Sequence, residues 1–96
     1  MYILITYDVN TILMDGERRL RKVAKTCQNY GQRVQSSVFE CELSEAQLIV
    51  LKNKLSNIID EENDSIRIYH LGKNWDKKIE TIGKDDAYKV NSTIII

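Results

Sequence analysis

The first segment of the chain, residues 2–9, constrains the fold more than any other part of the sequence. It reads Tyr-Ile-Leu-Ile-Thr-Tyr-Asp-Val and is rich in β-branched and aromatic residues, which is typical of a β-strand. Because side chains alternate across a strand, both faces are apolar until Asp8 interrupts the pattern. A strand that is apolar on both faces is covered on both faces. We therefore predict helices on one side of it and further protein on the other.

Periodicity predicts a helix and two short strands next. A connecting stretch over residues 10–16 leads into an amphipathic helix of about 13 residues, which Gly31 is expected to close as a C′ residue. Residues 32–43 alternate over their second half and predict two short strands, with Ser36-Ser37 as the turn or bulge between them. The apolar stripe of the helix consists of Leu20, Val23, Ala24 and Cys27.

The second half of the chain again predicts a helix that is followed by strand segments. Ser44 and Gln47 have the spacing of a capping box and predict the start of a second helix, whose apolar stripe begins at Leu48. The acidic residues 60–64 are expected to form a solvated loop. Residues 65–71 predict a further strand, and residues 78–82 are a candidate for a short additional one.

The order β-α-β-β-α-β predicts a single α+β domain over residues 1–96, a ferredoxin-like sandwich with a four-stranded antiparallel sheet and both helices on one face. The other face of the sheet then needs a cover, which indicates a homodimer. The apolar tip at residues 94–96 has no obvious place in its own protomer. We expect the C-terminal segment, residues 73–96, to supply an extra strand that crosses to the partner's sheet edge.

The composition is that of an ordinary globular protein, with 43% hydrophobic and 29% charged residues, and it excludes disorder. The two cysteines, Cys27 and Cys41, match no metal-ligand spacing and are expected to be free thiols packed as small hydrophobes. No apolar run approaches the ~20 residues that span a bilayer. Since no signal peptide is recognisable either, we expect a cytoplasmic protein without a membrane partner.

Asp8 is a carboxylate at the end of an otherwise hydrophobic strand, and two interpretations are open. It either terminates the strand and caps the following loop, or it is a ligand for a hard cation such as Mg²⁺, which prefers oxygen ligands. One carboxylate is too few for a strong site, but a two-fold axis would bring two Asp8 side chains together. Such a pair would activate a water for attack on a phosphodiester.

The first predicted helix concentrates positive charge, although the chain carries 14 basic and 14 acidic residues in all. Seven of the acids lie between residues 40 and 64, so the zero net charge is a cancellation between regions. Charge segregation of this kind produces a basic surface suited to phosphate contacts, although a charged helix face is more often merely solvated. The basic residues concerned are Arg18, Arg19, Arg21, Lys22, Lys25 and Arg33.

These features together resemble one known family. The chain has Ile-Thr-Tyr-Asp-Val at residues 5–9, Arg-Arg-Leu-Arg-Lys-Val-Ala-Lys at 18–25 and Tyr-Gly-Gln-Arg-Val-Gln-Ser-Ser-Val-Phe-Glu-Cys-Glu at 30–42. They look like the CRISPR-associated "Cas two" proteins, the small nuclease-like subunits of the spacer-acquisition machinery in this antiviral defence. The Cys-Glu-Leu ending at residues 41–43 and the Gly-Lys-Asn-Trp segment at 72–75 look most like the short variants of type I-C systems.

The resemblance implies a ferredoxin-like homodimer in which Asp8 of both protomers binds one Mg²⁺ or Mn²⁺ ion. It implies a metal-dependent endonuclease that acts on double-stranded DNA or single-stranded RNA, and a scaffold that binds the "Cas one" integrase and the protospacer duplex. The basic residues named above become candidate phosphate contacts. Tyr7, Ser37 and Phe39 become candidates for shaping the site near Asp8.

Two other functions stay open at this point. One is a non-catalytic scaffold that only binds integrase and DNA, and the other is a toxin-like mRNA interferase of the same fold. Loss of cleavage in an Asp8 variant separates the endonuclease from the scaffold. Growth arrest in a host without a CRISPR locus would indicate the interferase.

Overall fold

The computed structural model describes residues 1–84, so the predicted crossing tip at residues 94–96 lies outside the described part of the chain. The predicted βαββαβ order is confirmed, and a single helical turn follows it. The elements are β1 (Tyr2–Asp8), α1 (Gly16–Gln28), β2 (Gln32–Gln35), β3 (Val38–Glu42), α2 (Glu45–Ile58), β4 (Ser65–His70) and α3 (Trp75–Lys78).

The four strands form one antiparallel sheet in the order β2-β3-β1-β4. β1 lies in the middle, where Ile5 pairs with Phe39 of β3 on one side and with Ile68 of β4 on the other. Ser36 and Ser37 form the predicted turn between β2 and β3. The pairing of these strands also shifts register between Arg33 and Gln35, an irregularity that the sequence did not predict. This topology is the predicted ferredoxin-like sheet.

Both long helices cover the same face of the sheet, because their apolar stripes and one face of β1 form a single core. The 13-residue α1 has the predicted length and buries the predicted stripe. The most deeply buried side chains come from every layer of the domain: Ile3, Ile5, Val23, Cys27, Phe39, Cys41 and Leu51. Burial of this apolar surface is the main term that stabilises the fold.

The role of Gly31 differs from the prediction. α1 ends at Gln28 with Asn29 as its cap, and Gly31 is not among the residues with a left-handed backbone. A Cβ at Gly31 would collide with the Glu40 carbonyl oxygen and the Cys41 sulfur, and would lie 3.0 Å from the Cys41 Cα. Glycine is therefore needed for close packing against β3, since no side chain fits there.

α2 begins where the capping box predicts. The Ser44 hydroxyl accepts a hydrogen bond from the Gln47 amide at 3.1 Å, and the Gln47 side-chain oxygen accepts one from the Ser44 amide at 2.9 Å. Two of the free N–H groups at the helix start are thereby satisfied. This local arrangement needs no tertiary contact, which is why the sequence alone predicts it.

The face of the sheet away from the helices, called the open face here, is partly covered by α3. Trp75 stacks on Tyr2 with 3.8 Å between ring centroids and 4° between planes, and the Tyr2 hydroxyl donates to Glu40 at 2.8 Å. The Lys78 ammonium donates to the Leu71 carbonyl. These contacts hold residues 75–78 as a helical turn, and residues 79–82 form neither helix nor strand, so the candidate strand at residues 78–82 is wrong.

None of the helices formed within residues 1–84 has both the length and the apolar character that crossing a bilayer requires.

Candidate functional site

Asp8 is the last residue of β1 and is exposed on the open face. It pairs with Ser65, the first residue of β4, so one end of the sheet carries both the end of β1 and the start of β4. The Asp8 carboxylate makes no hydrogen bond or ion pair with any other residue of the described part. Asn10 caps the loop instead, because its side-chain oxygen accepts from the amides of Ile12 and Leu13 at 3.0 and 3.3 Å. Of the two interpretations of Asp8, the free carboxylate favours the ligand.

Tyr7 fixes the hairpin turn beside Asp8. Its hydroxyl donates to the Ser36 carbonyl at 3.1 Å, and its backbone amide donates to the Ser37 carbonyl at 3.2 Å. The β2–β3 turn therefore lies against the last residues of β1. The side chain of Tyr7 lies in the core on the face opposite Asp8, so Tyr7 reaches the Asp8 end of the sheet only through the turn that it holds. That Tyr7 and Ser37 shape the site stays a prediction.

Phe39 and Arg33 occupy the opposite face from Asp8. Phe39 is fully buried under the helices, and the Arg33 guanidinium lies 5.1 Å from the centre of its ring. Phe39 is therefore not in contact with the Asp8 site, and it can shape the site only through the sheet that it supports. Arg33 is exposed on the helix side and is available to a phosphate there.

The exposed basic side chains of α1 form a continuous surface, called the basic face here. α1 begins at the Asp8 end of the sheet, since its second turn contacts the loop that follows β1. Arg18 lies in the first turn of α1, at this end of the helix, and Lys25 lies about two turns further along it. The basic face consists of Arg18, Arg21, Lys22 and Lys25, all exposed.

Arg19 does not belong to this surface, which corrects the prediction that it contacts nucleic acid. Its Nε lies 2.7 Å from an oxygen of Asp64. Its two terminal nitrogens also donate to the carbonyls of Met14 at 2.9 Å and Asn10 at 3.2 Å. A guanidinium with all of these partners is a structural link inside the protomer, and its donors are not free for phosphate.

Asp64 was expected to lie in a solvated loop, but its side chain is 0% exposed. Burial opposes ionisation of its carboxyl group, yet hydrogen bonds from Arg19 and from the amides of Asp60 and Asn10 outweigh that effect. The pKa of Asp64 consequently lies below its ordinary value of 3.8. The hydrogen bond to Asp64 also raises the pKa of Arg19. Both members of the pair are thus held in their charged forms.

A divalent cation fits Asp8 only with help from outside one protomer. Within residues 1–84, no group of three or more His, Cys, Asp or Glu side chains could hold a metal ion. Mg²⁺ accepts one or two carboxylates together with waters and phosphate oxygens. The exposed Asp8 carboxylate, without a partner among residues 1–84, is suited to that role, and the remaining ligands would have to come from outside the protomer.

Sequence reasoning missed Asn10 and Asp64 as parts of this region. Asn10 follows Asp8 closely and its loop-capping role has a local signal, since asparagine side chains often bond amides two residues on. Asp64 has no comparable signal for its burial, because its partners Arg19 and Asn10 are 45 and 54 residues away in the chain and only Asp60 is a neighbour.

The fold and the site define a small ferredoxin-like protein with a free carboxylate at the end of its central strand and a basic helix beginning beside it. Residues 1–79 match the family model described as CRISPR associated protein Cas2. The chain belongs to this family. The match spans every element described above.

Individual relatives agree over almost the whole chain. The chain is 56% identical to the CRISPR-associated endonuclease Cas2 of Halalkalibacterium halodurans, over 99% of both sequences. It is 51% identical to the CRISPR-associated endoribonuclease Cas2 of Chlorobaculum tepidum, over 100% of both. The crystal structure of Streptococcus pyogenes Cas2 at pH 6.5 superposes with a TM-score of 0.78 and 57% identity, covering 86% of this chain and 100% of that one. These names carry no CRISPR subtype, so the type I-C resemblance stays a prediction.

Proposed function

We propose that the chain is a cytoplasmic CRISPR-adaptation protein whose homodimer binds nucleic acid and hydrolyses phosphodiester bonds with a Mg²⁺ or Mn²⁺ ion held by two Asp8 carboxylates. The observation that carries this proposal is the exposed Asp8 carboxylate, without a partner among residues 1–84, at the end of the sheet where the basic face begins. The two relatives are named an endonuclease and an endoribonuclease, which supports nuclease activity and, through the second name, RNA as a substrate.

Each part of the site has a chemical role in this proposal. When bound, the cation activates a water and stabilises the charge that develops on the phosphodiester. Asp8 holds the cation, and its exposure leaves room for a phosphate group. Tyr7 keeps the hairpin turn against β1, so the turn borders the approach to Asp8 on one side. The basic face of α1 binds the flanking phosphates and orients the strand.

The open face supports the dimer. Leu4 and Val38 lie half-buried on it, and Tyr69 is 42% exposed. We propose that a second copy covers the rest of this face, with the part of residues 73–96 that follows α3 crossing to the partner. Light scattering should then give twice the mass of one chain, and Tyr69→Glu should shift the protein towards monomer. Ile49→Glu, on the exposed side of α2, is the control and should leave the mass unchanged. A parent protein that remains monomeric would contradict the shared metal site.

Replacing Asp8 tests the catalytic part. Asp8→Asn removes the charge of the side chain but keeps its size. Cleavage of duplex DNA or of RNA in Mn²⁺ should therefore fall about 100-fold or more. A 100-fold loss corresponds to about 3 kcal/mol of transition-state stabilisation. Asp15→Asn makes the same chemical change at an exposed position, and asparagine tolerates the φ of 64° found there. This control should cleave like the parent. Equal cleavage by the Asp8 variant would refute a catalytic role.

Salt dependence tests the basic face. Each phosphate contact contributes about 0.9 to the slope of log affinity against log salt on duplex DNA. Lys22→Ala should therefore reduce the slope by about 0.9. Lys52→Ala removes an exposed lysine from α2 and should leave the slope unchanged. The slope should also fall in a triple variant in which Arg18 and Arg21 are replaced together with Lys22. If the slope is unchanged in both variants, α1 does not contact the nucleic acid.

A scaffold without catalysis is the second candidate. The observation that favours it is the length of the basic face, which runs from Arg18 to Lys25 and can bind a duplex without any chemistry at Asp8. In this form the dimer would bridge the "Cas one" integrase and protospacer DNA. Spacer acquisition in cells measures the difference. The scaffold alone would be supported if cells with Asp8→Asn still acquire spacers and cells in which Arg18, Arg21 and Lys22 are replaced do not.

A further inference from the structure

The buried carboxylate of Asp64 joins two loops at the Asp8 end of the sheet. One oxygen accepts from the Asn10 amide at 2.9 Å, and the other accepts from the Asp60 amide at 2.9 Å. Arg19 donates to both oxygens, at 2.7 and 3.3 Å. Asp64 is the one buried polar or charged side chain found within residues 1–84.

Arg19 extends this connection along the loop between β1 and α1, residues 9–15. One terminal nitrogen donates to the Met14 carbonyl near the end of the loop, and the other donates to the Asn10 carbonyl near its start. The loop is thus held at both ends by one guanidinium, which is itself held by Asp64. We call Asp64, Arg19 and these contacts the brace.

Apolar burial holds this loop in place only at its first residue, Val9, which belongs to the core. Ile12 is 94% exposed and Met14 is 87% exposed, so neither side chain anchors the loop in the core. Hydrogen bonds that involve charged groups are stronger than neutral ones, and the Asp64 carboxylate that accepts most of those in the brace is buried. The conformation of residues 10–14 therefore depends mainly on polar contacts to Asp64, Arg19 and the Asn10 side chain.

The two loops meet on either side of Asp8. Asn10 lies two residues after Asp8 in the chain, and Asp64 directly precedes Ser65, which pairs with Asp8 across β1 and β4. The backbone that follows Asp8 and the backbone that faces it are thus connected to the same carboxylate.

We infer that Asp64, acting with Arg19, is the positioning residue of the site, because its buried carboxylate fixes the backbone on both sides of Asp8. Its importance for cleavage rests on the proposed function, while its effect on the backbone does not. A buried ion pair is a poor source of stability compared with apolar packing, which is consistent with a geometric role. Arg19 thereby acts on the chemistry without touching phosphate.

Amide hydrogen exchange measured by NMR without metal tests the brace itself. In Asp64→Asn, exchange of the Asn10 amide should accelerate about 10-fold or more, because a charge-assisted acceptor is lost. The Ile5 amide in the middle of the sheet should be unaffected. Glu62→Gln, an exposed carboxylate in the same loop, is the matched control and should exchange like the parent. Unchanged exchange at Asn10 in a folded Asp64→Asn protein would overturn the inference.

Arg19→Lys is the second variant, in case Asp64→Asn does not fold. It retains the positive charge but loses the branched set of donors, so exchange should accelerate at Leu13 and Asn10 while the melting remains cooperative. Absence of any acceleration there would also overturn the inference.

Cleavage kinetics then test the consequence for the site. If the brace positions Asp8, the Mn²⁺ concentration for half-maximal cleavage should rise about 10-fold or more in Asp64→Asn, as for residues that orient metal ligands. The KM for DNA should stay within error, because the basic face is intact. A faster-exchanging loop with an unchanged Mn²⁺ midpoint would contradict positioning of Asp8. A parent protein without metal-dependent cleavage would refute the proposed function alone, since the exchange result does not depend on it.

Discussion

Replacing Gly16 by alanine tests how tightly the loop after Asp8 packs on α1. Gly16 is buried at the first position of the helix, and its amide donates to the Leu13 carbonyl at 3.0 Å. An added Cβ would collide with the Asn10 carbonyl oxygen and would lie 2.7 Å from the Thr11 Cα, closer than real Cβ contacts. Because both groups belong to the backbone, the loop itself must move.

The sign of the effect distinguishes this site from an ordinary helical glycine. Alanine normally stabilises a helix by up to about 1 kcal/mol relative to glycine. At Gly16 the overpacking should outweigh this gain, and we expect a net loss of about 1–3 kcal/mol in the free energy of unfolding. For a domain of this size, the melting temperature should fall by roughly 5–20 °C. The displaced Asn10 carbonyl also accepts from Arg19, so Mn²⁺-dependent cleavage should weaken as well.

Urea unfolding at one fixed protomer concentration measures the loss, because the stability of a dimer depends on concentration. Gln28→Ala, an exposed change at the last residue of the same helix, is the control and should stay within about 0.5 kcal/mol of the parent. A Gly16→Ala protein as stable as the parent, or more stable, would refute the close packing of loop and helix.

Three further predictions concern the core, a helix start and the thiols. Leu51→Ala should lower the free energy of unfolding by about 2–5 kcal/mol because Leu51 is 0% exposed, whereas Ile49→Ala, at an exposed neighbour, should cost far less in the same urea titration. Ser44→Ala should cost about 1 kcal/mol through loss of the capping bond, and an unchanged midpoint would show that the cap contributes nothing. Burial raises the pKa of Cys27 from 9.0 to about 12 and that of Cys41 to about 11, so both thiols should resist maleimide near neutral pH until the protein is unfolded. As the pH rises, the thiols ionise in the unfolded chain before they do so in the folded protein. The contribution of the two buried thiols to the free energy of unfolding is therefore complete below pH 9.0 and should decline as the pH rises through about 11–12. A variant with alanine at both cysteines should lack this decline.

Local signals predicted most of the fold. The pattern of apolar residues in β1 predicts a strand, and the helical spacing of the apolar residues in α1 predicts a helix. The capping box at Ser44 predicts the start of α2. The arrangement of the strands followed from their order, since few folds accommodate βαββαβ. The C-terminal region was harder, because the helical turn at Trp75 depends on stacking against Tyr2, 73 residues earlier.

Part of the site was also predicted, because that part has local signals in the sequence. A polar residue that interrupts an apolar strand is visible in the sequence, and so is a run of basic residues on a helix. Both Asp8 and Arg18 lie exposed, as predicted. The sequence does not show which of two adjacent arginines faces solvent and which turns inward, and here Arg19 turns inward to Asp64.

By itself, the sequence determined the elements, the exposed carboxylate at the end of β1 and the basic face of α1, because each of these depends on residues within about two helical turns of one another. The tertiary structure decided what depends on distant partners. It buried Asp64 inside an acidic segment that looks solvated, paired it with Arg19, and placed Gly31 and Gly16 where backbones touch. Burial and pairing arise only when segments far apart in the chain pack together, and no local pattern encodes them.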